Sequence, residues 1–216
     1  MSVNYDQILE AIWETIYMTG AAFGFSLLIG FPLGIFLVVT RNGHLLENES
    51  VSNALNIVIN IFRSIPFIIL MVAIIPLTRL IVGTSIGTAA AIVPLVFYAG
   101  PYIARLIENS LLEVDKGVIE AAQAMGASPA QIIFRFLIPE ALSSLVLALT
   151  IAVVGLIGAS AMAGAIGGGG LGDLAITYGY QRFDTFIMVI TVAILVVLVQ
   201  GVQSFGNILS RRVRRS

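Results

Sequence analysis

Long apolar runs alternate with short charged segments along this chain of 216 residues. The stretch from Thr15 to Thr40 carries no charged residue, and further apolar stretches follow at about 54–77, 87–104, 141–162 and 185–205. A helix of roughly 20 mostly apolar residues crosses the hydrocarbon core of a bilayer and satisfies its own backbone there. The pattern therefore predicts an all-α integral membrane protein with about five transmembrane helices.

The composition supports a membrane protein, with 58% hydrophobic residues, 11% charged residues and a mean hydropathy of +1.02. Soluble domains carry roughly a quarter charged residues, so a soluble fold could not bury this much apolar surface. The net charge of −1 gives no indication of nucleic-acid binding, and the lack of cysteine excludes disulfides and thiolate chemistry. Asp6, Glu10 and Glu14 replace the positive charges of a cleaved signal peptide, so the first apolar segment is expected to remain, with these acids solvated.

The distribution of basic residues predicts the orientation, because short cytoplasmic loops collect lysine and arginine. Five crossings place the C-terminal arginines on one side together with four other basic residues, Arg41, Arg105, Lys116 and Arg135. Only Arg79 and Arg182 fall on the other side. The chain is therefore expected in the cytoplasmic (inner) membrane, with its N-terminus outside and its C-terminus cytoplasmic. A helix broken near Arg63 and Pro66 could give an even number of crossings and overturn this orientation.

The charged segment between the third and fourth crossings predicts a helix, a turn and a second helix. Asp115 suits the N-cap of the first helix, and Gly126 suits its end. Ser128 followed by Pro129 is typical of the start of the second helix, which is expected to end at Pro139. The first helix carries a narrow face of small and apolar residues at helical spacing, namely Val118, Ala121, Ala122 and Met125. Such a hairpin can lie in a groove of another protein, although a solvated connector is the alternative.

One motif in this segment resembles the coupling loop of permeases from binding-protein-dependent ABC importers of type I. Glu120-Ala121-Ala122, Gly126 and Pro139 match the pattern E-A-A, three residues, G, nine residues, I-x-L-P, with Phe136 and Ile138 as apolar departures. The resemblance implies that a cytoplasmic coupling loop at about 106–140 docks into a cytosolic ATPase subunit. The residues that it assigns to this contact are Glu120, Ala121, Ala122, Met125, Gly126 and Pro139.

The resemblance extends to the methionine-importing members of that family over most of the chain, about 13–208. It covers the segments 60–70, 75–79, 82–87 and 160–167. It implies one transmembrane domain over 1–216, a homodimer joined to two cytosolic ATPase subunits, and an external methionine-binding lipoprotein. The chain has no G-K-[ST] phosphate loop and no expected catalytic or metal site, so ATP and Mg are expected on the partner ATPase. A self-contained secondary transporter or an intramembrane enzyme is the alternative, and the sequence offers neither intramembrane carboxylates nor a catalytic pair.

A polar stripe runs into the second crossing from its cytoplasmic end. Asn53, Asn56, Asn60 and Arg63 follow at spacings of three, four and three, and therefore share one helix face. One interpretation is that the stripe lines the pathway or the dimer axis, or holds the coupling loop. The other is that Arg63 extends to the membrane surface while the asparagines bond neighbouring helices.

A glycine-rich run follows the fourth crossing and includes Gly167, Gly168, Gly169 and Gly170. It contains a formal G-x-G-x-x-G, but a dinucleotide site is rejected because no strand precedes it and no βαβ unit follows. The run is interpreted either as a flexible outer re-entrant segment or as a tight turn that packs on another helix.

Four side chains could meet a small amino acid if they face inward. They are Tyr98, Tyr102, Ser160 and Met162. Packing between helices is the alternative role for each of them.

Overall fold

The computed structural model describes residues 3–214, and every regular element in that range is helical. The helices are α1 (Tyr5–Val39), α2 (Glu49–Ser64), α3 (Phe67–Ala73), α4 (Ile75–Val82), α5 (Thr88–Leu112), α6 (Lys116–Ala124), α7 (Pro129–Ile132), α8 (Ile138–Gly164), α9 (Gly170–Leu174) and α10 (Thr185–Val213). A π-helical segment, Ile133–Leu137, joins α7 to α8, and a second one, Ala175–Tyr180, follows α9. The all-α prediction is confirmed.

Four helical segments are long and apolar enough to cross a membrane: α1, α5, the continuous segment Pro129–Gly164, and α10. A fifth crossing is possible if α2 and α3 together form one span, since they meet at a bend of 99°. The count agrees with the prediction of about five crossings. The bent pair of α2 and α3 takes the place of the second predicted crossing.

The bend lies at Pro66, where the sequence suggested a broken helix. Ile65 ends α2 in an extended conformation (φ −84°, ψ 122°), as expected because a proline ring disfavours helical geometry in the preceding residue. Pro66 also lacks the N–H that would continue the hydrogen-bond ladder of α2. The chain therefore turns and restarts as α3.

The centre of the bundle is the close contact between α1 and α5. A Cβ atom added at Gly30 would lie 2.7 Å from the carbonyl oxygen of Gly100, and one added at Gly34 would lie 2.7 Å from the Cβ of Ile107. Ile103 and Ile107 have no exposed surface. The glycines of the first crossing therefore serve close helix packing.

One boundary prediction is wrong, since the second loop helix does not end at Pro139. The π-helical segment lets the N–H of Ile138 donate to the carbonyl of Ile133, so the ladder is widened just before the proline. A widened turn accommodates the missing N–H of Pro139, which lies in the first turn of α8. Helical backbone therefore runs unbroken from Pro129 to Gly164.

Candidate functional site: the helical hairpin between α5 and α8

The hairpin consists of α6 and α7 and the turn between them. At the start of α6, the Asp115 carboxylate accepts a hydrogen bond from the N–H of Gly117 at 2.7 Å. At the start of α7, the Ser128 N–H donates to the Gln131 side chain at 2.8 Å, and the Gln131 N–H donates to the Ser128 hydroxyl. These caps satisfy backbone donors that have no partner within either helix. The hairpin is therefore a defined structure and not a loose connector.

Gly126 makes the turn between the two helices. Its φ is +78°, in the left-handed region that L-residues other than glycine enter only at a cost. No atom lies within 4 Å of the position that a Cβ would occupy. The requirement for glycine here comes from the backbone conformation and not from lack of space.

The small and apolar residues that the sequence predicted on one face of α6 are partly buried and partly exposed in the structure. Ala122 has no exposed surface, and Ile119 packs beside it against the core of the bundle. Glu120 and Ala121 are exposed on the other side, and Met125 is 71% exposed. Of the predicted contact residues, Ala122 therefore contacts its own chain, and the others lie open to a partner.

Next to the hairpin, the end of α5 is bonded to α8. The Ser144 hydroxyl of α8 donates to the Glu113 carboxylate at 2.5 Å, next to the point where α5 ends. Val114 packs on the same core as Leu137 and Ile138. The two long helices that flank the hairpin are therefore held to each other next to it.

A polar network ties α2 to α5 at the same end of the bundle. The guanidinium of Arg105 donates to the side-chain oxygens of Asn56 and Asn60, each at 3.0 Å, and pairs with the Glu108 carboxylate at 2.5 Å. The Glu108 side chain is only 6% exposed. Arg105 and Glu108 both belong to α5, because this helix continues to Leu112. The predicted third crossing ended at residue 104.

Sequence reasoning missed Arg105 and Glu108 as partners of the polar stripe. Both residues were assigned to the charged loop, since their charges were taken to end the crossing. A usable signal was present in their spacing of three, which places the two opposite charges on one helix face.

The polar network borders a cavity of about 360 Å³. Its polar lining includes Arg41, Glu49, Ser52, Asn53, Asn56, Arg105 and Glu108. Nearby, the pKa of His44 is lowered, first by burial and then by the positive charges of Arg41 and Lys116. The turn after α1 therefore lies close to the start of the hairpin.

Arg63, the last member of the predicted stripe, lies apart from this network. It is exposed, and within residues 3–214 it makes no hydrogen bond or ion pair. Asn56 and Asn60 bond a neighbouring helix through Arg105, as the second interpretation of the stripe expects. A role of the stripe in a pathway stays a prediction.

At the opposite end of the bundle, Glu14 holds the glycine-rich run in place. Its carboxylate accepts hydrogen bonds from the N–H of Gly170 at 2.7 Å and from the hydroxyl of Thr88 at 3.1 Å. The N–H of Leu171 donates to the Thr15 hydroxyl at 2.8 Å. The expectation that the N-terminal acids are solvated is therefore wrong for Glu14, which joins α1 to α5 and α9.

The glycines themselves form a tight turn against these helices. Gly167, Gly169 and Gly170 have φ values of +89°, +77° and +74°. A Cβ at Gly168 would lie 2.7 Å from the carbonyl oxygen of Ala163. This arrangement corresponds to the tight turn that the sequence left open as an alternative. Movement of the segment during transport stays a prediction.

The four suggested pathway residues have different surroundings. Tyr98 stacks on Tyr102, with ring centres 6.3 Å apart, and meets the edge of Phe67. Ser160 is 1% exposed, and its hydroxyl donates a hydrogen bond to the backbone carbonyl of Ile157, whereas Met162 is 53% exposed. The side chains do not share one environment, so a common contact with substrate stays a prediction.

Comparison with known proteins agrees with this architecture. The family described as the binding-protein-dependent transport system inner membrane component matches residues 30–215. The "Probable D-methionine transport system permease protein MetI" of Vibrio cholerae is 55% identical over 212 residues, which cover 98% of this chain and 94% of the relative. The D-methionine transport system permease protein MetI of Escherichia coli K12 is 52% identical over 157 residues, 73% of this chain and 72% of the relative.

Two solved structures are similar over nearly the whole chain. A chain of the MetNI methionine ABC transporter in inward-facing conformations has a TM-score of 0.95 and 48% identity, with 97% of both chains covered. A chain of an amino acid ABC transporter solved with histidines has a TM-score of 0.78 at 20% identity, which shows a shared fold only. From the family match over most of its length and the identity to these relatives, the chain belongs to the family of binding-protein-dependent transport system inner membrane components.

Proposed function

We propose that this chain is the translocation subunit of an ATP-driven importer that carries methionine across the inner membrane; the alternative that the sequence leaves open is a permease for another amino acid or small solute of the same importer class. The observation that carries the proposal is the similarity to the permease chain of a methionine ABC transporter over 97% of both lengths, at 48% identity. As a permease, the chain is not an enzyme. ATP and Mg belong to a separate ATPase subunit.

The assembly that we propose contains two copies of this chain, two cytosolic ATPase subunits and an external solute-binding lipoprotein. Each copy supplies one hairpin, so a pair of ATPase subunits requires two copies. The surface offered to each ATPase is the outer side of α6, with Glu120, Ala121 and Met125. Gly126 orients this surface through its turn.

Coupling follows from the continuity of helical backbone behind the hairpin. The segment Pro129–Gly164 has 36 residues, so at 1.5 Å per residue it extends about 50 Å from the hairpin to the glycine-rich turn. At its far end, a Cβ on Gly164 would lie 2.3 Å from the backbone nitrogen of Asp173, so α8 and α9 are in direct contact. Closure of the ATPase pair would therefore move the hairpin, α8 and the opposite end of the bundle together, which is what alternating access requires.

The orientation that we propose places the hairpin and the C-terminus in the cytoplasm. This requires the bent pair of α2 and α3 to count as one crossing, since four crossings would put both termini on the same side. Reporters fused to the N-terminus and the C-terminus are expected on opposite sides of the membrane. Readings on the same side would contradict five crossings.

The function is tested by purifying the chain with its ATPase subunit and measuring ATP hydrolysis in proteoliposomes. We expect the methionine-loaded binding protein to stimulate hydrolysis several-fold, with L- and D-methionine assayed separately because some relatives carry the D-enantiomer in their names. Stimulation of ATP hydrolysis by a binding protein loaded with a different amino acid would reject methionine as the substrate but would still support an ATP-driven importer. Uptake by this chain alone, driven by an ion gradient, would reject the importer and support a secondary transporter.

A further inference from the structure

An apolar groove opens on the side of the bundle where α1 and α10 diverge over α8. A cavity of about 480 Å³ is lined by Phe23 of α1, by Val146 and Val153 of α8, and by Gly201 and Phe205 of α10. A second cavity of about 190 Å³ shares Phe23 and Val153 with the first and reaches Leu198. The two cavities therefore form one continuous groove, which we call the α1–α10 groove.

The lining of the groove suits a hydrocarbon chain. No charged residue lines either cavity. The lining includes three threonines. The hydroxyl of Thr150 donates to the carbonyl of Val146 at 2.7 Å and that of Thr15 to the carbonyl of Ala11 at 2.9 Å, whereas the buried Thr19 hydroxyl has no partner among the described residues. Gly201 leaves the wall open, because no atom lies within 4 Å of its Cβ position.

The groove begins at the arginine end of α10 and reaches Thr15 of α1 at its other end. It follows α10 from Leu198 to Leu209, which spans about 16 Å at 1.5 Å per residue. Half of a hydrocarbon core about 30 Å thick is about 15 Å. An acyl chain that starts at the arginine end would therefore fill the part of the groove that α10 lines from Leu209 to Leu198.

A cluster of arginines lies directly beyond the inner end of the groove. Arg211, Arg212 and Arg214 belong to the last turn of α10 and its cap. The groove residues Leu198, Val202, Phe205 and Leu209 recur at helical spacing, and Arg212 continues the same row. Hydrogen bonds between the hydroxyls of Ser143 and Ser210 hold α8 and α10 together at this level. Guanidinium groups bind phosphate through paired hydrogen bonds, so this cluster complements an anionic headgroup.

We propose that the α1–α10 groove binds one anionic phospholipid of the cytoplasmic leaflet, with an acyl chain in the groove and the phosphate on the arginine cluster. The choice of leaflet rests on the orientation proposed above. α10 is the span least covered by the chain itself, since 11% of its apolar window is buried against 39% to 56% for the other three spans. The bound lipid would fill the gap that α1 and α10 leave over α8.

The proposal is tested by native mass spectrometry of the purified permease–ATPase complex after exchange into phosphatidylglycerol or phosphatidylcholine of equal chain length. We expect phosphatidylglycerol to be retained at least fivefold more strongly. Gly201→Trp fills the groove and should remove retention of phosphatidylglycerol. The triple change Arg211→Gln, Arg212→Gln and Arg214→Gln should leave equal, weak binding of both lipids.

The matched control is Val197→Trp, which adds the same bulk at a position of α10 that is 70% exposed and does not line the groove. It should keep the lipid preference of the native chain. Equal retention of both lipids by the native complex, or retention unchanged in the triple variant, would overturn the proposal. Cross-linking of two copies through Val202→Cys would do so as well, by assigning the groove to a dimer contact. None of these readouts needs methionine or ATP hydrolysis, so the lipid site can fail its test while the proposed transport function holds.

Discussion

Replacing Ala121 with arginine is expected to separate this chain from its ATPase while leaving the chain itself folded. Ala121 is exposed on α6, about 100° around the helix from the buried Ala122. A bulky unpaired charge forced into a protein interface costs at least about 2 kcal/mol, which corresponds to more than a tenfold loss of affinity. Co-purification of the tagged ATPase should fall by at least that factor, and methionine uptake should fall with it.

The control for this experiment is the same exchange at Ala89, an exposed alanine in the first turn of α5 at the far end of the bundle. Ala89→Arg is expected to retain the ATPase at the native level. Melting temperatures of the two variants should agree, since neither alanine is part of the core. If the Ala121→Arg variant bound the ATPase as well as the native chain does, the hairpin would not be the docking surface.

The structure also improves the choice of residue for this test. A bulky residue at Ala122 was a natural choice from the sequence alone, because Ala122 belongs to the recognised motif. In the fold it has no exposed surface, so its enlargement would disrupt the packing of α6 on its own chain. Loss of the ATPase from an Ala122 variant would therefore not distinguish docking from folding.

Replacing Arg105 with alanine is expected to lower the free energy of unfolding more than any other single exchange proposed for this chain. The change leaves the Glu108 carboxylate, whose side chain is 6% exposed, without its cationic partner, and it removes the donor to Asn56 and Asn60. Breaking a buried ion pair on one side costs about 3 kcal/mol or more. For a chain of this size, the apparent melting temperature in detergent should fall by roughly 10 °C.

Two further variants separate the ion pair from general effects of charge. Arg63→Ala removes an exposed arginine of α2 that has no bonding partner within residues 3–214, so its melting temperature should stay within about 2 °C of the native value. Adding Glu108→Gln to Arg105→Ala removes the stranded charge and should recover part of the loss. Equal effects of Arg105→Ala and Arg63→Ala would show that the network does not stabilise the fold.

Local chemistry explains why parts of the site could be predicted without a structure. The cap at Asp115, the capping box at Ser128 and the positive φ of Gly126 each involve residues within four positions of one another. Helix ends depend on such short-range hydrogen bonds, so residue types at fixed spacing suffice to locate them. The break at Pro66 follows in the same way from the geometry of proline.

Contacts between distant segments explain most of what was missed. Glu14 and Gly170 are 156 positions apart and form a hydrogen bond, and Arg105 reaches Asn56 across 49 positions. The sequence placed Glu14 in solvent and Arg105 in a loop, because charge alone was taken to indicate exposure. Both side chains instead find partners on neighbouring helices, which lowers the cost of their partial burial.

The sequence by itself determined that this chain is an all-helical membrane protein with about five crossings, and that its charged hairpin carries the coupling motif of a known permease family. Apolar length and capping residues determine these features locally. Only the tertiary structure decided which side of α6 is open and which helices share the buried charges. Those outcomes depend on close approaches such as that of Gly30 to Gly100, and helix packing sets them through contacts that no short stretch of sequence contains.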